Sequence, residues 1–383
     1  MRSGMGDSMN FAFAIFKYFP FGGLQRDMLR MAECAVGRGH RVTVFTASWK
    51  GEEPPEGIQV RILKARGWTN HGRARSFERL FRMESAPFDA RLLFNRMGGG
   101  DFYFAADNCL AVEYPRKHSA LMLRLNPRYR TFLEQERTVF EPAAKTRIFY
   151  IAPRQKRDFM KVYHTPESRF FYLPPGMNEK CRRPADADRI RSRMRKSLGL
   201  TDEQRMLVLI GSNYRLKGAF RAIEALGALP EPERNRCVLY LIGESADGGC
   251  SAHAEKCGVA GQVVLAGPRT DVPELLLAAD LMIHPSRNEA TGTVLVEGIA
   301  AGLPVLCTEE CGFSNFVQEA SGLVVPEGAE QSVINAMTAD ALSRLPELRE
   351  RTIRYALGAD FYRRAEVAVD ALEAFVREQR SKK

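Results

Sequence analysis

Two glutamates open the chemistry of this sequence. Glu289 and Glu297 stand with seven residues between them in "HPSRNEATGTVLVEG", between the apolar run "LMI" and the strand-like "LPVLC". A carboxylate accepts hydrogen bonds strongly and can take two hydroxyls at once. Vicinal diols of a ribose or a hexose suit such a pair. The bland alternative is a solvated loop acid and an ion-paired helix residue. "GSNYRLKG" (211–218) adds a second chemistry in the same half. It joins a strand to a helix and carries Arg215 and Lys217 near the helix start. Helix N-termini favour anions, so two cations there suit a diphosphate. Together these residues describe a pocket for a nucleotide sugar.

The first half offers further candidates. Gly22 and Gly23 in "YFPFGGLQR" follow the first strand, where bare backbone amides can approach phosphate or sugar oxygens. Asp107 ends the strand-like "DFYFAAD", either at a ligand-facing position or as a helix N-cap. "TNHGR" (69–73) reads as a polar loop whose His71 and Arg73 face an acceptor or solvent. "DAD" (186–188) matches a metal-binding D-x-D only superficially, because no strand precedes it. No His, Cys and carboxylate cluster has metal spacing. The stretch "YPRKHSALMLRLNPRYRTFL" (114–133) is different. It holds Arg116, Lys117, Arg124, Arg128 and Arg130, bulky apolar residues and no acid. That mixture suits a membrane interface, or an ordinary amphipathic helix packed on its domain. No nucleic-acid motif accompanies it, so no nucleic-acid partner is expected.

Composition bounds these readings. The 383 residues favour two domains, and 45% apolar with 27% charged residues marks a globular protein. No apolar run reaches membrane-spanning length, and the polar start "MRSGMGDSMN" lacks a signal peptide's pattern. The expected location is the cytoplasm. The eight cysteines read as reduced, mostly buried thiols. Residues 1–173 carry 29 Lys+Arg against 17 Asp+Glu, while the rest carries 27 against 29. The whole positive excess therefore lies in the first half and points to an anionic partner there.

The elements that must position these residues follow an alternating pattern. "FAFAIF" (11–16), "RVTVFT" (41–46), "DFYFAAD" (101–107) and "TRIFYIA" (146–152) read as buried strands. The helical "LQRDMLRMAECAVGRGH" (24–40) lies between the first two. In the second half "RMLVLIGS" (205–212), "CVLYLIGES" (237–245), "QVVLAGP" (262–268), "DLMIHPS" (280–286) and "LPVLCT" (303–308) read as strands. Helices are expected at 215–229, at 271–279 and in "TGTVLVEGIAAG", with Thr291 as N-cap and Gly302 as stop. The expected fold is α/β: two Rossmann-like domains, 1–173 and 174–383, facing across a cleft. They part near "YLPPGMN" (172–178), and the terminal helix in 361–380 crosses the junction.

"PSRNEATGTVLVEGIAAGLPVLCT" resembles the E-x7-E signature of the retaining glycosyltransferases of family four, which have the GT-B fold. "KYFPFGGLQRDMLRMA", "TNHGR", "YFAAD" and "LPPG" are similar, more narrowly, to the lipopolysaccharide core glucosyltransferases. The resemblance implies that Glu297 holds ribose hydroxyls and Glu289 the donor-sugar hydroxyls. It implies that Lys217 neutralises the leaving diphosphate and Gly23 offers its amide near the phosphate. Ala290, Thr291 and Gly292 would line the donor site, and Asp107 would stand near the reacting carbon. The family has adjacent Arg and Lys before the helix glycine; here those positions hold Leu216 and Lys217, with Arg215 one place early.

The resulting expectation is a UDP-sugar-dependent retaining hexosyltransferase, moving glucose from UDP-glucose onto a heptose of the lipopolysaccharide inner core. No metal or other cofactor is expected. Its partners would be the UDP-hexose, the core acceptor and the anionic cytoplasmic face of the inner membrane. Two alternatives stand beside it. A UDP-sugar 2-epimerase of the same fold would convert the donor without an acceptor. A nonenzymatic membrane- or RNA-binding protein would not bind UDP.

Overall fold

The computed structural model describes residues 8–20, 22–243 and 246–382. The chain forms two compact units, Met177–Tyr362 and the remainder, Met1–Gly176 with Arg363–Lys383.

The first unit is built on a seven-stranded sheet, all parallel. Its strands are β1 (Asn10–Ala14), β2 (Arg41–Thr46), β3 (Ile58–Ile62), β4 (Ala90–Leu93), β5 (Phe102–Ala105), β6 (Arg147–Tyr150) and β7 (Phe170–Tyr172). The order is β3-β2-β1-β4-β5-β6-β7. The helices that matter below are α1 (Gly23–Gly37), α2 (Asn70–Glu84), α3 (Leu110–Lys117), α4 (Ala120–Leu125) and α5 (Pro127–Phe140). Aromatic side chains dominate the core on one face, among them Phe45, Phe77, Phe81, Tyr103, Phe140 and Phe159. Continuous apolar runs such as "FAFA" suit strands buried on both faces.

The second unit repeats the plan with six parallel strands. They are β8 (Arg205–Ile210), β9 (Cys237–Ile242), β10 (Val263–Gly267), β11 (Leu281–His284), β12 (Val305–Thr308) and β13 (Leu323–Val325). The order is β10-β9-β8-β11-β12-β13. Its core is aliphatic, with Leu207, Leu209, Ile223, Leu239, Leu241, Leu281 and Ile283 fully buried. In each sheet the strand order reverses beside the first strand, at β1/β4 and at β8/β11. Ligands of doubly wound sheets bind beyond the carboxyl ends at such switch points.

Several expectations need correction. The units part after Gly176, not after residue 173, and residues 363–383 belong to the first unit. The terminal helix Arg364–Ser381 packs on α1. Arg364 pairs with Asp27 at 2.7 Å and donates through Nε to the Pro174 carbonyl at 2.9 Å. Glu373 meets His40 at 3.0 Å. The polar start through Asp7, Phe21 of the Gly-Gly turn and Glu244–Ser245 at the end of "CVLYLIGES" lie outside the described residues. All eight cysteines are free thiols, five of them buried.

Candidate functional site

The second unit gathers three ionisable side chains at its switch point. Lys217 comes from the segment after β8, and Glu289 from the loop after β11. The Lys217 ammonium donates to Glu289 Oε2, and both side chains are mostly buried. Near the same oxygen stands His284, the last residue of β11, with Nε2 at 3.5 Å and no exposed surface. Burial alone would raise the Glu289 pKa. The hydrogen bonds and charges of His284 and Lys217 outweigh it, and the carboxyl is held below its usual range.

The backbone around this cluster is constrained. Glu289 N–H donates to the Glu310 carbonyl at 3.1 Å, and its own carbonyl accepts from Gly312 N–H at 3.0 Å. Phe313 N–H donates to the Thr291 carbonyl at 2.8 Å, so the loop through Ala290 and Thr291 is fixed at both ends. A Cβ on Gly312 would fall 2.0 Å from the Ala290 carbonyl oxygen, which only a glycine tolerates. Thr291 is not the cap of the following helix, Thr293–Ala300. The cap is Gly292, in the left-handed region at φ 82°, with no side-chain cap bond. Glu289 Cγ would lie 3.2 Å from a Cβ there, so the Glu289 stem packs against the helix entry. Glu297 is half-buried on the second turn of that helix, and Gly302 follows its end at φ 78°.

The expected helix 215–229 is two pieces, Tyr214–Lys217 and Ala219–Gly227, broken at Gly218. Gly218 has φ 84°, and a Cβ there would sit 2.1 Å from the Pro285 carbonyl oxygen. That close approach brings the β8 and β11 loops together and Lys217 with them. Asn213, itself left-handed at φ 63°, caps the short helix through its side chain onto Leu216 N–H at 3.2 Å. Arg215 leaves in another direction, because residues two apart do not share a helix face. Its guanidinium lies over the Phe220 ring at 5.4 Å, and Phe220 stacks on His253. Leu216 is exposed.

In the first unit the candidates follow β1, β3 and β5. Gly22 caps α1 in extended conformation, and Gly23 begins the helix with open space where a Cβ would be. Asp107 is not a helix cap, since α3 starts at Leu110 after Cys109. Its side chain is 70% exposed and lies 3.7 Å from the Arg96 guanidinium, so the carboxylate is open to a ligand. Sequence reasoning missed what holds Arg96. The fully buried Glu136 of α5 meets Arg96 Nε at 2.9 Å. It also accepts from Leu110 N–H at 2.8 Å, Ala111 N–H at 3.1 Å and the Tyr163 hydroxyl at 2.8 Å. Glu136 thereby ties the start of α3 to the Asp107 loop.

"TNHGR" is not a loop. Thr69 caps α2 by accepting from Gly72 N–H at 3.1 Å, and His71 and Arg73 ride on the first turn. Both are half-buried, with His71 Nε2 3.2 Å from the Thr69 hydroxyl. The segment 114–133 spans the end of α3, all of α4 and half of α5. Leu121, Met122 and Leu125 are exposed, as are Arg116, Lys117, Arg124, Arg128 and Arg130. Its charge is less isolated than its sequence suggests, because Glu113 reaches Lys117 at 3.0 Å and Arg116 at 3.8 Å. Among the described residues no helix is long and apolar enough to cross a membrane, and no group of His, Cys, Asp and Glu could hold a metal.

Residues 190–358 match the model of the family "Glycosyl transferases group 1". The chain is 39% identical over 368 residues to the lipopolysaccharide glucosyltransferase WaaG of Escherichia coli, covering 94% of this chain and 98% of that one. A crystal structure of WaaG, a glycosyltransferase involved in lipopolysaccharide biosynthesis, superposes with a TM-score of 0.80 at 37% identity, over 94% of this chain and 99% of the other. The Anabaena protein HepE, solved in complex with UDP-glucose, shares the fold at a TM-score of 0.68 and 16% identity, over 98% of this chain and 100% of the other. Two parallel-sheet units, a polar cluster at the second switch point and this likeness along nearly the whole chain agree: the protein belongs to the glycosyl transferases group 1 family and is a glycosyltransferase.

Proposed function

We propose that this glycosyltransferase acts in lipopolysaccharide core synthesis, moving glucose from UDP-glucose onto a heptose of the inner core with retention at the anomeric carbon. The observation that carries the reading is the Lys217–Glu289 pair beside the β8/β11 switch point. Each group satisfies the other. A bound UDP-hexose offers both a better partner: phosphate oxygens for the ammonium, sugar hydroxyls for the carboxylate. The likeness to the Escherichia coli glucosyltransferase supports the lipopolysaccharide assignment.

In this reading the bond from the anomeric carbon to UDP breaks through an oxocarbenium-like transition state. Negative charge builds on the leaving diphosphate, where Lys217 stabilises it without a metal. Glu289 holds the donor sugar, with His284 beside its carboxylate, and Glu297 takes the ribose hydroxyls. The acceptor hydroxyl attacks from the face the diphosphate leaves and gives its proton to the departing phosphate oxygen. The exposed Leu121, Met122 and Leu125 beside exposed cations support attachment to the cytoplasmic face of the inner membrane. His71 and Arg73 contact the acceptor.

The deciding experiment incubates the enzyme with a panel of UDP-sugars and truncated lipopolysaccharide, read by mass spectrometry. Gain of one hexose from UDP-glucose, with an α-linkage by nuclear magnetic resonance, is the expected result. Transfer from another sugar, or epimerisation of the donor without acceptor, would refute the assignment.

A further inference from the structure

The chain has two tryptophans, and they stand in opposite surroundings. Trp49 stacks on Tyr18, with ring centroids 3.7 Å apart, and donates through its indole N–H to the Glu52 carbonyl at 2.9 Å. Trp68 is 105% exposed, as open as an isolated side chain. It precedes the Thr69 cap of α2 and follows Gly67, which packs so closely on the first turn of α2 that a Cβ there would fall 2.8 Å from the Arg73 backbone nitrogen.

Helix pairing locates Trp68 within its unit. Arg75 of α2 meets Glu134 of α5 at 2.6 Å, and Glu78 accepts from Gln135 at 2.9 Å. One cavity is lined by Ala74 and Phe77 together with Phe132 and Gln135, and another by Arg82 and Met83 together with Thr138. Partners advance in the same sense along both helices, so α2 and α5 run parallel with their N-termini at one edge. Trp68 and Thr69 therefore lie at the level of Asn126–Arg130, where α4 joins α5. That edge also carries the exposed Leu121, Met122 and Leu125.

Charge agrees with the placement. Residues 64–77 hold Lys64, Arg66, Arg73 and Arg75 and no acid, as 114–133 holds five cations and no acid. Two segments far apart in sequence thus bring a cation-rich and partly apolar surface to one edge, where Glu134 engages Arg75 and Glu113 engages Arg116 and Lys117. An indole combines an apolar body with an N–H donor, which suits the headgroup level of a bilayer.

We propose that Trp68 is a second lipid contact, seating at the headgroup level of the same anionic bilayer that receives α4. This rests on the reading that residues 114–133 attach the enzyme to a membrane. Trp49→Phe leaves Trp68 as the single emitter in the full-length enzyme. With phosphatidylglycerol–phosphatidylethanolamine vesicles its emission is expected to shift to the blue and to be quenched by brominated acyl chains. Pure phosphatidylcholine should have little effect. Trp68→Ala is expected to lower the vesicle partition several-fold and leave UDP binding unchanged. If the wild type partitions but Trp68 emission and the Trp68→Ala partition do not change, the proposal falls while membrane attachment stands. If the wild type ignores anionic vesicles at low salt, both fall. A blue shift with delipidated core oligosaccharide and none with vesicles would make Trp68 a sugar platform instead, and would also overturn the proposal.

Discussion

The imidazole Nε2 of His284 lies 3.5 Å from Oε2 of Glu289, the same oxygen that Lys217 reaches. One carboxylate oxygen thus takes the hydrogen bond of an ammonium and has a fully buried ring within ion-pair distance. The arrangement explains how a mostly buried acid remains charged. An uncompensated buried carboxylate would neutralise itself or destabilise the fold.

Losing either acid should leave sugar or ribose hydroxyls without an acceptor. A hydrogen bond to a charged group contributes about 1.5 to 3 kcal/mol, roughly tenfold to a hundredfold or more in binding or rate. Glu289→Gln is expected to lower kcat, and Glu297→Gln to weaken UDP binding. Steady-state kinetics and calorimetry with UDP separate the two. Near-wild-type turnover in both variants would remove the donor role of the pair.

The depressed Glu289 pKa has a stability consequence with a definite sign. A carboxyl whose pKa is lower folded than unfolded stabilises the fold above its unfolded value, near 4.5 for Glu. That contribution is lost as pH falls through the lower, folded value. The stability difference between the wild type and Glu289→Gln should persist at pH 5 to 6. It should shrink on acidification below about 4.5. Urea titrations across that range measure it, and a difference that grew on acidification would contradict the cause assigned.

Much of this was legible because the elements concerned are buried and continuous. β2 matches the expected "RVTVFT" residue for residue, and β8 lies inside "RMLVLIGS". β3, β4, β7 and β13 passed unnoticed. They are three to five residues long, and β3 and β7 are mostly exposed or half-buried, so the apolar signal is faint. The terminal helix was placed in the wrong unit because its anchor, Arg364 to Asp27, spans 337 residues of sequence. Glu289 stood out as an acid among apolar neighbours. His284 did not, since one histidine closing an apolar strand reads as core. Gly218 looked like an ordinary helical glycine, because its closeness to Pro285 exists only in three dimensions.

Gly218 can be tested for that closeness. Alanine in the left-handed region costs about 1 to 2 kcal/mol from backbone strain alone. Gly258→Ala supplies the control, with φ 70° and nothing within 4 Å of its Cβ. At Gly218 the Cβ would also meet the Pro285 carbonyl. Gly218→Ala should therefore lower the melting temperature more than Gly258→Ala and should weaken UDP binding, which Gly258→Ala should not. Equal effects would mean that the β8 and β11 loops do not depend on this contact.

Metal independence is the next expectation. Lys217 supplies the positive charge the leaving diphosphate needs, so transfer should survive EDTA. Lys217→Ala should lose roughly a hundredfold or more in kcat, as for removal of one preorganised charge-stabilising group, and magnesium should not restore it. Full loss in EDTA, recovered with a divalent ion, would show that the diphosphate is handled differently.

The cations of residues 114–133 should not contribute equally to membrane attachment. Arg116 and Lys117 already have Glu113 as a partner. Arg124, Arg128 and Arg130 are exposed, with no ion pair among the described residues. A Lys or Arg near an anionic leaflet contributes about 1 kcal/mol, so three unpaired arginines account for about 3 kcal/mol, roughly a hundredfold in partition. Replacing Arg124, Arg128 and Arg130 with Gln should release the enzyme from anionic vesicles. Replacing Arg116 and Lys117 should weaken it less, because Glu113 already offsets part of their charge. Changing all five should add little beyond the triple variant, and UDP binding should not change. Cosedimentation against salt concentration gives the comparison. A wild type that stays in solution at low salt would show that the surface serves another anion, such as phosphate groups of the acceptor.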